Sequence, residues 1–317
     1  MKKLIKIISL FVGTLLLGGL LFFIYLRSRQ ETAVLNDVVR QLAPGKFIHL
    51  DHGLVHYQLY GPDTAKLLVL VHGGGASGME VWKYNIPFLL SKGYRILTYD
   101  LYGRGYSDRP EVTYDLPLYR NQLRQLLDTL GLRQPFDLIA MSMGAAIGMD
   151  YTALHPSRVQ HLVLLGPAAS GDLQTGRYMS VPFIADLLMT GYWYPRSVEN
   201  QRKEFVNQPL FNTYSQRLQY FMNFRGYKRL TLSTWQHMLN QNQLYLLKEI
   251  IADKILLIFG RQDPYFPEEK LHTYQALYPT LVAYSIDSAG HMPHYEQHEK
   301  VNQLIWTYLH AGNPVTP

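Results

Sequence analysis

The chain has 317 residues, of which 47% are hydrophobic and 17% are charged, a composition that excludes an intrinsically disordered protein. It contains no cysteine, which excludes disulfides, thiolate metal ligands and a cysteine nucleophile. The formal net charge is +6, but Lys2, Lys3, Lys6, Arg27 and Arg29 supply most of it before residue 31. Because the rest of the chain is nearly neutral, we expect no nucleic-acid partner.

The first predicted element is a membrane-spanning helix. Residues 7–26 contain no ionisable group other than Tyr25, and a helix of this length spans about 30 Å, the thickness of a bilayer core. A cleaved signal peptide would have a shorter apolar region and a small-residue cleavage site, which are not found here. We therefore expect residues 1–30 to form a single-pass anchor in the lipid bilayer. The short lysine-containing tail favours an N-terminus on the inside.

Residues 31–45 are predicted to link this anchor to the rest of the chain. Apolar residues within 31–43 recur at helical spacing, and Pro44 and Gly45 end the pattern. Two interpretations remain open for this amphipathic segment. It is either a helix lying at the bilayer surface, or a stalk or helix packed on the core.

Residues 46–169 and 251–317 are predicted to form an α/β core. Residues 46–61 contain two alternating segments around a turn, which predicts an antiparallel β-hairpin. Helical patterns then alternate with six short apolar runs, at 66–73, 94–100, 136–142, 161–167, 254–263 and 281–287. Continuous apolar strands separated by helices are typical of a mostly parallel sheet buried on both faces.

Residues 170–250, called the lid below, interrupt this alternation. They contain no strand-like run, have room for about four helices and are rich in aromatic residues. We expect a helical insertion in which some aromatics line an apolar pocket over the edge of the sheet. The basic residues of the lid, Lys228 among them, are expected to lie on a solvated helix face. Four methionines of the lid have two open interpretations: with the aromatics they either line this pocket or form a small core of the lid itself, and we expect a minority of the set to face the pocket. They are Met179, Met189, Met222 and Met238.

Residues suited to acyl transfer follow four of the predicted strands, at the sheet edge where ligands bind in parallel sheets. They are the glycine loop 73–75, Ser142, Asp263 and His291. A serine nucleophile needs a histidine base, the histidine needs a carboxylate, and the tetrahedral intermediate needs N–H donors. The order of Ser142, Asp263 and His291 along the chain is that of α/β-hydrolases.

Five motifs together resemble the α/β-hydrolase superfamily. The similarity is to its lidded branch of esterases, monoacylglycerol-type lipases and carbon–carbon bond hydrolases. The motifs lie in order along roughly residues 46–312, as HGGG at 72–75, DLYGRGYSDRP at 100–110, AMSMG at 140–144, GRQDPYFP at 260–267 and GHMPHYEQHEKVNQ at 290–303. The resemblance implies an α/β-hydrolase fold with an inserted lid.

The resemblance also implies a triad in which Ser142 attacks the substrate, His291 accepts its proton and Asp263 orients His291. Serine at position 142 excludes the aspartate-nucleophile chemistry of related dehalogenases and epoxide hydrolases. One departure is Ala140, which replaces the first glycine of the usual G-x-S-x-G elbow. We expect the added methyl group to be tolerated with at most a slight shift of the loop.

By the same resemblance, the main-chain amides of Gly74 and Met143 would form the oxyanion hole. Gly73 or Gly75 is the alternative for the second donor. Gly73, Gly75 and Met141 are expected to contact the substrate.

Other polar residues are expected to have structural roles. The histidines of H-x2-H-x3-H at 291–298 resemble a metal site, but the first belongs to the predicted triad and the others fall on a predicted helix. We therefore expect neither a metal nor a cofactor. His72 is expected to shape the glycine loop, and Asp100 and Asp108 to stabilise the fold.

The sequence thus predicts a membrane-anchored serine hydrolase for a small-molecule carboxylic ester. The predicted membrane anchor, the aromatic residues of the lid and its basic helices occur together. This combination favours an apolar, lipid-like ester, such as a monoacylglycerol, as the substrate. One alternative is a carbon–carbon bond hydrolase of the ring-cleavage-product type, which shares the triad and the lid. The alternative from another class is a catalytically silent, membrane-tethered binding protein.

Overall fold

The computed structural model describes residues 1–171, 173–251 and 253–311, so the last residues of the predicted core, 312–317, lie outside it. All eight predicted strands are present in one sheet. They are β1 (Lys46–Leu50), β2 (Gly53–Tyr60), β3 (Lys66–Val71), β4 (Tyr94–Tyr99), β5 (Phe136–Met141), β6 (Val159–Leu165), β7 (Ile255–Gly260) and β8 (Val282–Ile286).

The sheet has the strand order β1-β2-β4-β3-β5-β6-β7-β8. The β1–β2 and β2–β4 pairs are antiparallel, and every other pair is parallel. The mostly parallel sheet with an N-terminal antiparallel hairpin is therefore confirmed. Every residue of β5 and β7 is buried, which explains why these strands are continuous apolar runs rather than alternating ones.

Helices cover both faces of the sheet. Outside the lid, the helices that follow the hairpin are α3 (Ile86–Ser91), α4 (Leu116–Thr129), α5 (Met143–Leu154), α10 (Glu269–Leu277), α11 (Pro293–Glu296) and α12 (His298–Ala311), with a 3-10 turn at Gly78–Trp82. Two further helices, α1 (Lys2–Ser28) and α2 (Asp37–Arg40), precede the sheet and have no buried residue. Asp115 caps α4 by accepting the Leu118 N–H at 2.9 Å, which gives this carboxylate a structural role.

Between β6 and β7, the part of the chain that the structure describes contains helices joined by loops and no named strand. Its α-helices are α6 (Pro182–Leu188), α7 (Tyr194–Arg202), α8 (Gln208–Met222) and α9 (Tyr227–Thr234). Two π-helical turns and two 3-10 turns accompany them, at Met189–Trp193, Trp235–Leu239, Arg177–Ser180 and Leu244–Glu249. The predicted helical insertion is thus present.

Helix α1 lies outside the folded body. None of its residues is buried, and by length and composition it could cross a membrane, a test that a signal sequence near an N-terminus would also pass. Its last turn contacts the lid, where Arg27 pairs with Asp186. The Gln30 side chain donates to the Thr190 carbonyl at 2.9 Å, so the base of the helix is fixed to the lid by polar contacts.

The segment after α1 differs from its sequence pattern. Of residues 31–43, whose spacing predicts a helix, α2 alone is α-helical. Ala33 instead bonds to the lid main chain, donating to the Asn223 carbonyl at 3.1 Å and accepting from the Arg225 N–H at 2.9 Å. These bonds require an extended chain at Ala33. Of the apolar residues at helical spacing, Leu35 and Val39 pack against the core, whereas Val34, Val38 and Leu42 are exposed.

Lys228 is buried, so the expectation of a solvated basic face is wrong at this position. Its ammonium donates to Thr190 Oγ1 at 3.0 Å and to Gln30 Oε1 at 3.2 Å, and its main-chain N–H donates to Glu31. The lysine therefore joins the segment after α1 to the lid.

Candidate active site

Ser142 lies on a sharp turn between β5 and α5. Its backbone has φ 53° and ψ −120°, a left-handed conformation that costs energy for any residue other than glycine. The turn is held by close packing of Gly144, where an added Cβ would lie 2.5 Å from the His72 carbonyl oxygen and 2.7 Å from that of Val71. This geometry projects the serine beyond the carboxyl edge of the sheet, as a nucleophile elbow does.

Gly148 provides the space for Ala140, the residue that departs from the elbow pattern. Ala140 is fully buried at the end of β5, and a Cβ added at Gly148 would lie 2.9 Å from the Ala140 Cβ. The methyl group that the strand gains is therefore balanced by one that the facing helix lacks.

The predicted triad residues lie in direct contact. His291 Nε2 accepts a hydrogen bond from Ser142 Oγ at 2.8 Å, and His291 Nδ1 donates to Asp263 Oδ2 at 2.8 Å. The second oxygen of Asp263 accepts the main-chain N–H groups of Tyr265 at 2.8 Å and Phe266 at 3.2 Å. Both carboxylate oxygens are thus bonded, which fixes the plane of the Asp263 carboxylate and of the imidazole beyond it.

The electrostatics of the triad suit a base held next to a carboxylate. Burial disfavours the charged imidazole, but the neighbouring Asp263 outweighs this, so the pKa of His291 lies above its usual value. Burial likewise opposes ionisation of Asp263, but His291 and the two amides keep the pKa of this carboxyl below its usual value. The carboxylate is therefore ionised, and it would stabilise an imidazolium if His291 took a proton from the serine.

The glycine loop lies beside the elbow, as predicted. A Cβ added at Gly73 would lie 2.9 Å from the Ser142 Cβ, and one added at Gly74 would lie 3.7 Å from Met143 Sδ. Among the described residues, no acceptor pairs with the main-chain N–H of Gly74 or Met143. Two free amides next to the serine have the arrangement that an oxyanion hole requires.

His72 supports this loop and is unsuited to act as a base. Its Nδ1 donates to the Gly73 carbonyl at 2.7 Å, and its Nε2 accepts the Leu101 N–H at 2.9 Å. Burial lowers its pKa to about 4, so the imidazole stays neutral at physiological pH.

A cavity of about 770 Å³ extends from Ser142 between the sheet edge and the lid. Gly73, Gly75 and Met141 line it, as expected, and the lid contributes the aromatic residues Trp193, Tyr214, Tyr227 and Trp235. The predicted methionines do not line it. Met179, Met189, Met222 and Met238 are all buried elsewhere, because they fill the interior of the lid and its contact with the core.

The family profile for the alpha/beta hydrolase fold matches residues 66–297, which is most of the chain and includes the elbow, the glycine loop and the triad. This chain belongs to the alpha/beta hydrolase fold family. The protein is therefore a hydrolase.

The similarity of this hydrolase to individual proteins extends over nearly the whole length of each of them. A 2-hydroxy-6-oxononadienedioate/2-hydroxy-6-oxononatrienedioate hydrolase from Paraburkholderia phymatum is 27% identical over 289 residues, 85% of this chain and 96% of the relative. Among solved structures, an esterase from Exiguobacterium antarcticum gives a TM-score of 0.69 at 22% identity, over 84% of this chain and 99% of that one. A meta-cleavage product hydrolase from Pseudomonas fluorescens gives 0.65 at 19% identity, over 85% and 98%. The two structures support the shared fold.

Two charged residues of the cavity were not found by sequence reasoning. Arg104 and Glu204 both line the cavity and are more than nine-tenths buried. Burial raises the pKa of Glu204 to about 7, and the nearby Asp263 adds to this, against the opposing effects of His291, Tyr265 and Gln201. Arg104 lies within one of the quoted motifs, whereas no pattern marks Glu204, which reaches the cavity only because the lid folds over it.

The lid is bonded directly to the loop that carries His291. Glu296 Oε1 accepts the main-chain N–H groups of Val206 at 2.7 Å and Asn207 at 2.6 Å, while its other oxygen accepts the Gly290 N–H at 2.7 Å. The His291 N–H in turn donates to the Glu204 carbonyl at 2.8 Å. The position of the histidine and the position of the lid are thus coupled through the Glu296 carboxylate and the Glu204 main-chain carbonyl.

Proposed function

We propose that this hydrolase cleaves a carboxylic ester through an acyl-enzyme formed on Ser142. The observation that carries the proposal is the continuous hydrogen-bonded chain from Ser142 Oγ through His291 to Asp263, with both contacts at 2.8 Å. A serine hydrogen-bonded to a histidine, which is itself hydrogen-bonded to a carboxylate, is the arrangement used for acyl transfer.

In the first half of the reaction, Ser142 Oγ attacks the ester carbonyl while His291 Nε2 takes its proton. The amides of Gly74 and Met143 donate to the oxyanion of the tetrahedral intermediate. His291 then returns the proton to the leaving alcohol, which leaves the acyl group on Ser142. In the second half, His291 removes a proton from water, and the resulting attack releases the acid and regenerates the serine.

The cavity favours a substrate with an apolar part. Its lid side presents Trp193, Trp235, Leu173 and Leu239, and its volume of about 770 Å³ would hold a medium-sized acyl or alcohol chain. We also propose that α1 anchors the protein in a lipid bilayer with its N-terminus inside. Both features support a lipid-like ester, which a bilayer would concentrate near the cavity.

A second candidate is carbon–carbon bond hydrolysis of a ring-cleavage product. It is favoured by the relatives at 24–27% identity, which are named as hydrolases of 2-hydroxy-6-oxononadienedioate and its triene analogue. The same serine, base and oxyanion donors would serve this reaction. The two candidates are therefore distinguished by which substrate the protein cleaves.

Labelling with a fluorophosphonate, followed by an ester panel, tests the proposal. We expect the wild type to be labelled and Ser142→Ala to be unlabelled. Ester turnover of Ser142→Ala should fall by up to about 10⁶-fold, and its melting temperature should equal that of the wild type. Labelling retained in Ser142→Ala would show that the nucleophile is another residue. Cleavage of a vinylogous diketone without turnover of any ester would favour the second candidate, and preference for acetyl esters would exclude a lipid-like substrate.

A further inference from the structure

Exposed apolar side chains are concentrated on one part of the lid. They belong to α6 and to the turns on either side of it, which pack against the helix. Phe183 is the most exposed of them, at 75%. The set is called the α6 surface below and consists of Tyr178, Val181, Phe183, Leu187 and Tyr192. A cluster of exposed apolar side chains marks a surface that meets another protein or a membrane.

The charges around the α6 surface fit a bilayer. Asp186 is the one charged residue in the sequence from 178 to 192, and it pairs with Arg27 at the end of α1. Exposed arginines flank this stretch, Arg177 before it and Arg196 after it. The Arg196 guanidinium lies 4.3 Å from the ring centroid of Tyr192. Apolar residues bordered by tyrosine and arginine are typical of segments that lie at the surface of an anionic bilayer.

The end of α1 relates the α6 surface to the level of the headgroups. Arg27 is the first charged residue after the uncharged run at 7–26, so in a membrane-spanning α1 it lies at the bilayer surface. Its partner Asp186 shares one face of α6 with Phe183 and Leu187, because residues three and four apart are neighbours on a helix. The two apolar side chains would therefore lie at the same level as Arg27.

A buried polar network fixes α6 relative to α1. The Lys228 ammonium donates to Thr190 Oγ1 at 3.0 Å and to Gln30 Oε1 at 3.2 Å, and it lies 3.8 Å from the Glu31 carboxylate. Thr190 belongs to the π-helical turn directly after α6, while Gln30 and Glu31 directly follow α1. Networks of this kind, bonded throughout, hold a single arrangement. A bilayer that holds α1 therefore meets the α6 surface in a defined orientation.

We propose that the α6 surface inserts into the headgroup region of the bilayer that α1 spans. This inference rests on the proposed anchor, because α1 sets the level at which α6 meets the lipid. Trp193, which directly follows Tyr192, lines the active-site cavity. The lid wall of the cavity thus lies next to the lipid, and a second, non-spanning contact fixes the cavity relative to the membrane.

Fluorescence from single probes on the full chain tests the proposal. Because the chain has no cysteine, Phe183→Cys or Leu187→Cys provides one site for the polarity-sensitive dye NBD. The labelled proteins are reconstituted in liposomes of phosphatidylcholine and phosphatidylglycerol. We expect blue-shifted emission at both positions, and quenching by phospholipid that carries a doxyl group near the headgroup.

Leu154→Cys is the matched control for the position of the probe. Leu154 is exposed at the end of α5, which begins at the elbow and runs back between two parallel strands to the sheet edge opposite the lid. Its probe should emit as in water and should not be quenched. Equal emission and quenching at all three positions would overturn the proposal. A blue shift at Phe183→Cys without quenching by doxyl lipid would also overturn it, because a protein surface would then cover α6.

A charge substitution separates insertion from mere proximity to α1. In the Leu187→Cys protein, Phe183→Glu should return the emission towards that in water and reduce the quenching, since a carboxylate resists transfer out of water. Tyr245→Glu is the control, because this exposed lid residue lies outside the α6 surface, and it should change neither. Quenching that survives in Phe183→Glu would show that α1 alone brings the probe near the lipid, which overturns insertion.

Two further measurements on the same liposomes separate this inference from the proposed function. Flotation in a density gradient reports the anchor, and a chain that does not float would overturn both the anchor and the α6 contact. Fluorophosphonate labelling reports Ser142 independently. Phe183 and Leu187 do not line the cavity, so labelling should persist in Phe183→Glu. Labelling and flotation without the expected quenching would overturn the α6 contact alone.

Discussion

The two walls of the cavity are built in different ways. On the core wall, Ser142, Asp263 and the glycine loop directly follow parallel strands, so the register of the sheet brings them together. On the lid wall, Trp193 and Trp235 come from π-helical turns of an insertion whose described residues include no named strand. Under the proposed function, the sheet would supply the reacting groups and the lid much of the substrate selection.

The largest effect should come from the core wall. Asp263→Asn should lower kcat by about 10⁴-fold, because asparagine cannot hold the His291 tautomer or stabilise the imidazolium. Ester turnover across pH 6–9 measures this. Asp128→Asn is the control, since that carboxylate pairs on the surface with Arg124 and should leave kcat unchanged. A loss below tenfold in Asp263→Asn would mean that another group orients His291.

A smaller effect should come from the contact that joins the two walls. In Glu296→Gln, one carboxylate oxygen becomes an amide NH₂, which cannot accept a hydrogen bond. The bond to Gly290, or the bonds to Val206 and Asn207, are then lost, so the loop that carries His291 should shift. We expect kcat to fall by about 10- to 100-fold for all esters alike, the scale of a misplaced catalytic group.

Glu299→Gln is the matched control for this variant, because Glu299 lies nearby on α12 and is exposed. The rate of fluorophosphonate labelling should fall together with kcat in Glu296→Gln. A lower melting temperature with unchanged kcat and labelling would instead give Glu296 a purely structural role.

The core wall could be predicted from the sequence far better than the lid wall. The strands and the triad were predictable because buried parallel strands are continuous apolar runs and their ends carry the reactive residues. The course of residues 31–43 was not, since the bond between Ala33 and Asn223 joins segments far apart in the chain. Glu204 was missed for the same physical reason, because its burial depends on how the lid packs over the sheet.

The fit beneath the elbow gives a prediction for stability. Gly148→Ala would place its Cβ 2.9 Å from the Ala140 Cβ. In an Ala140→Gly background that contact is removed, and the nearest side-chain atom is Leu162 Cδ1 at 3.2 Å. We expect the two substitutions to be coupled by about 1–3 kcal/mol in the free energy of unfolding. Chemical denaturation of the four proteins of the cycle measures this. Additive effects would show that the elbow accommodates both methyl groups.

The smallest effect should come from the lid carboxyl nearest the triad. An ionised Glu204 raises the pKa of His291, together with Asp263 and against Lys270 on α10. His291 must be neutral to accept the serine proton, so activity is lost as pH falls through its pKa. Glu204→Gln removes one negative charge, which lowers the pKa of His291. The acid limb of kcat/KM should therefore move to lower pH.

The matched control is Glu199→Gln, because Glu199 lies on α7 and is exposed, with Arg202 as its partner. It removes the same charge from the same part of the lid, so a shift in both variants would reflect the overall field of the protein. An acid limb that moves to higher pH in Glu204→Gln, or does not move, would contradict the electrostatic coupling. A shift confined to Glu204→Gln would show that the lid tunes the base as well as selecting the substrate.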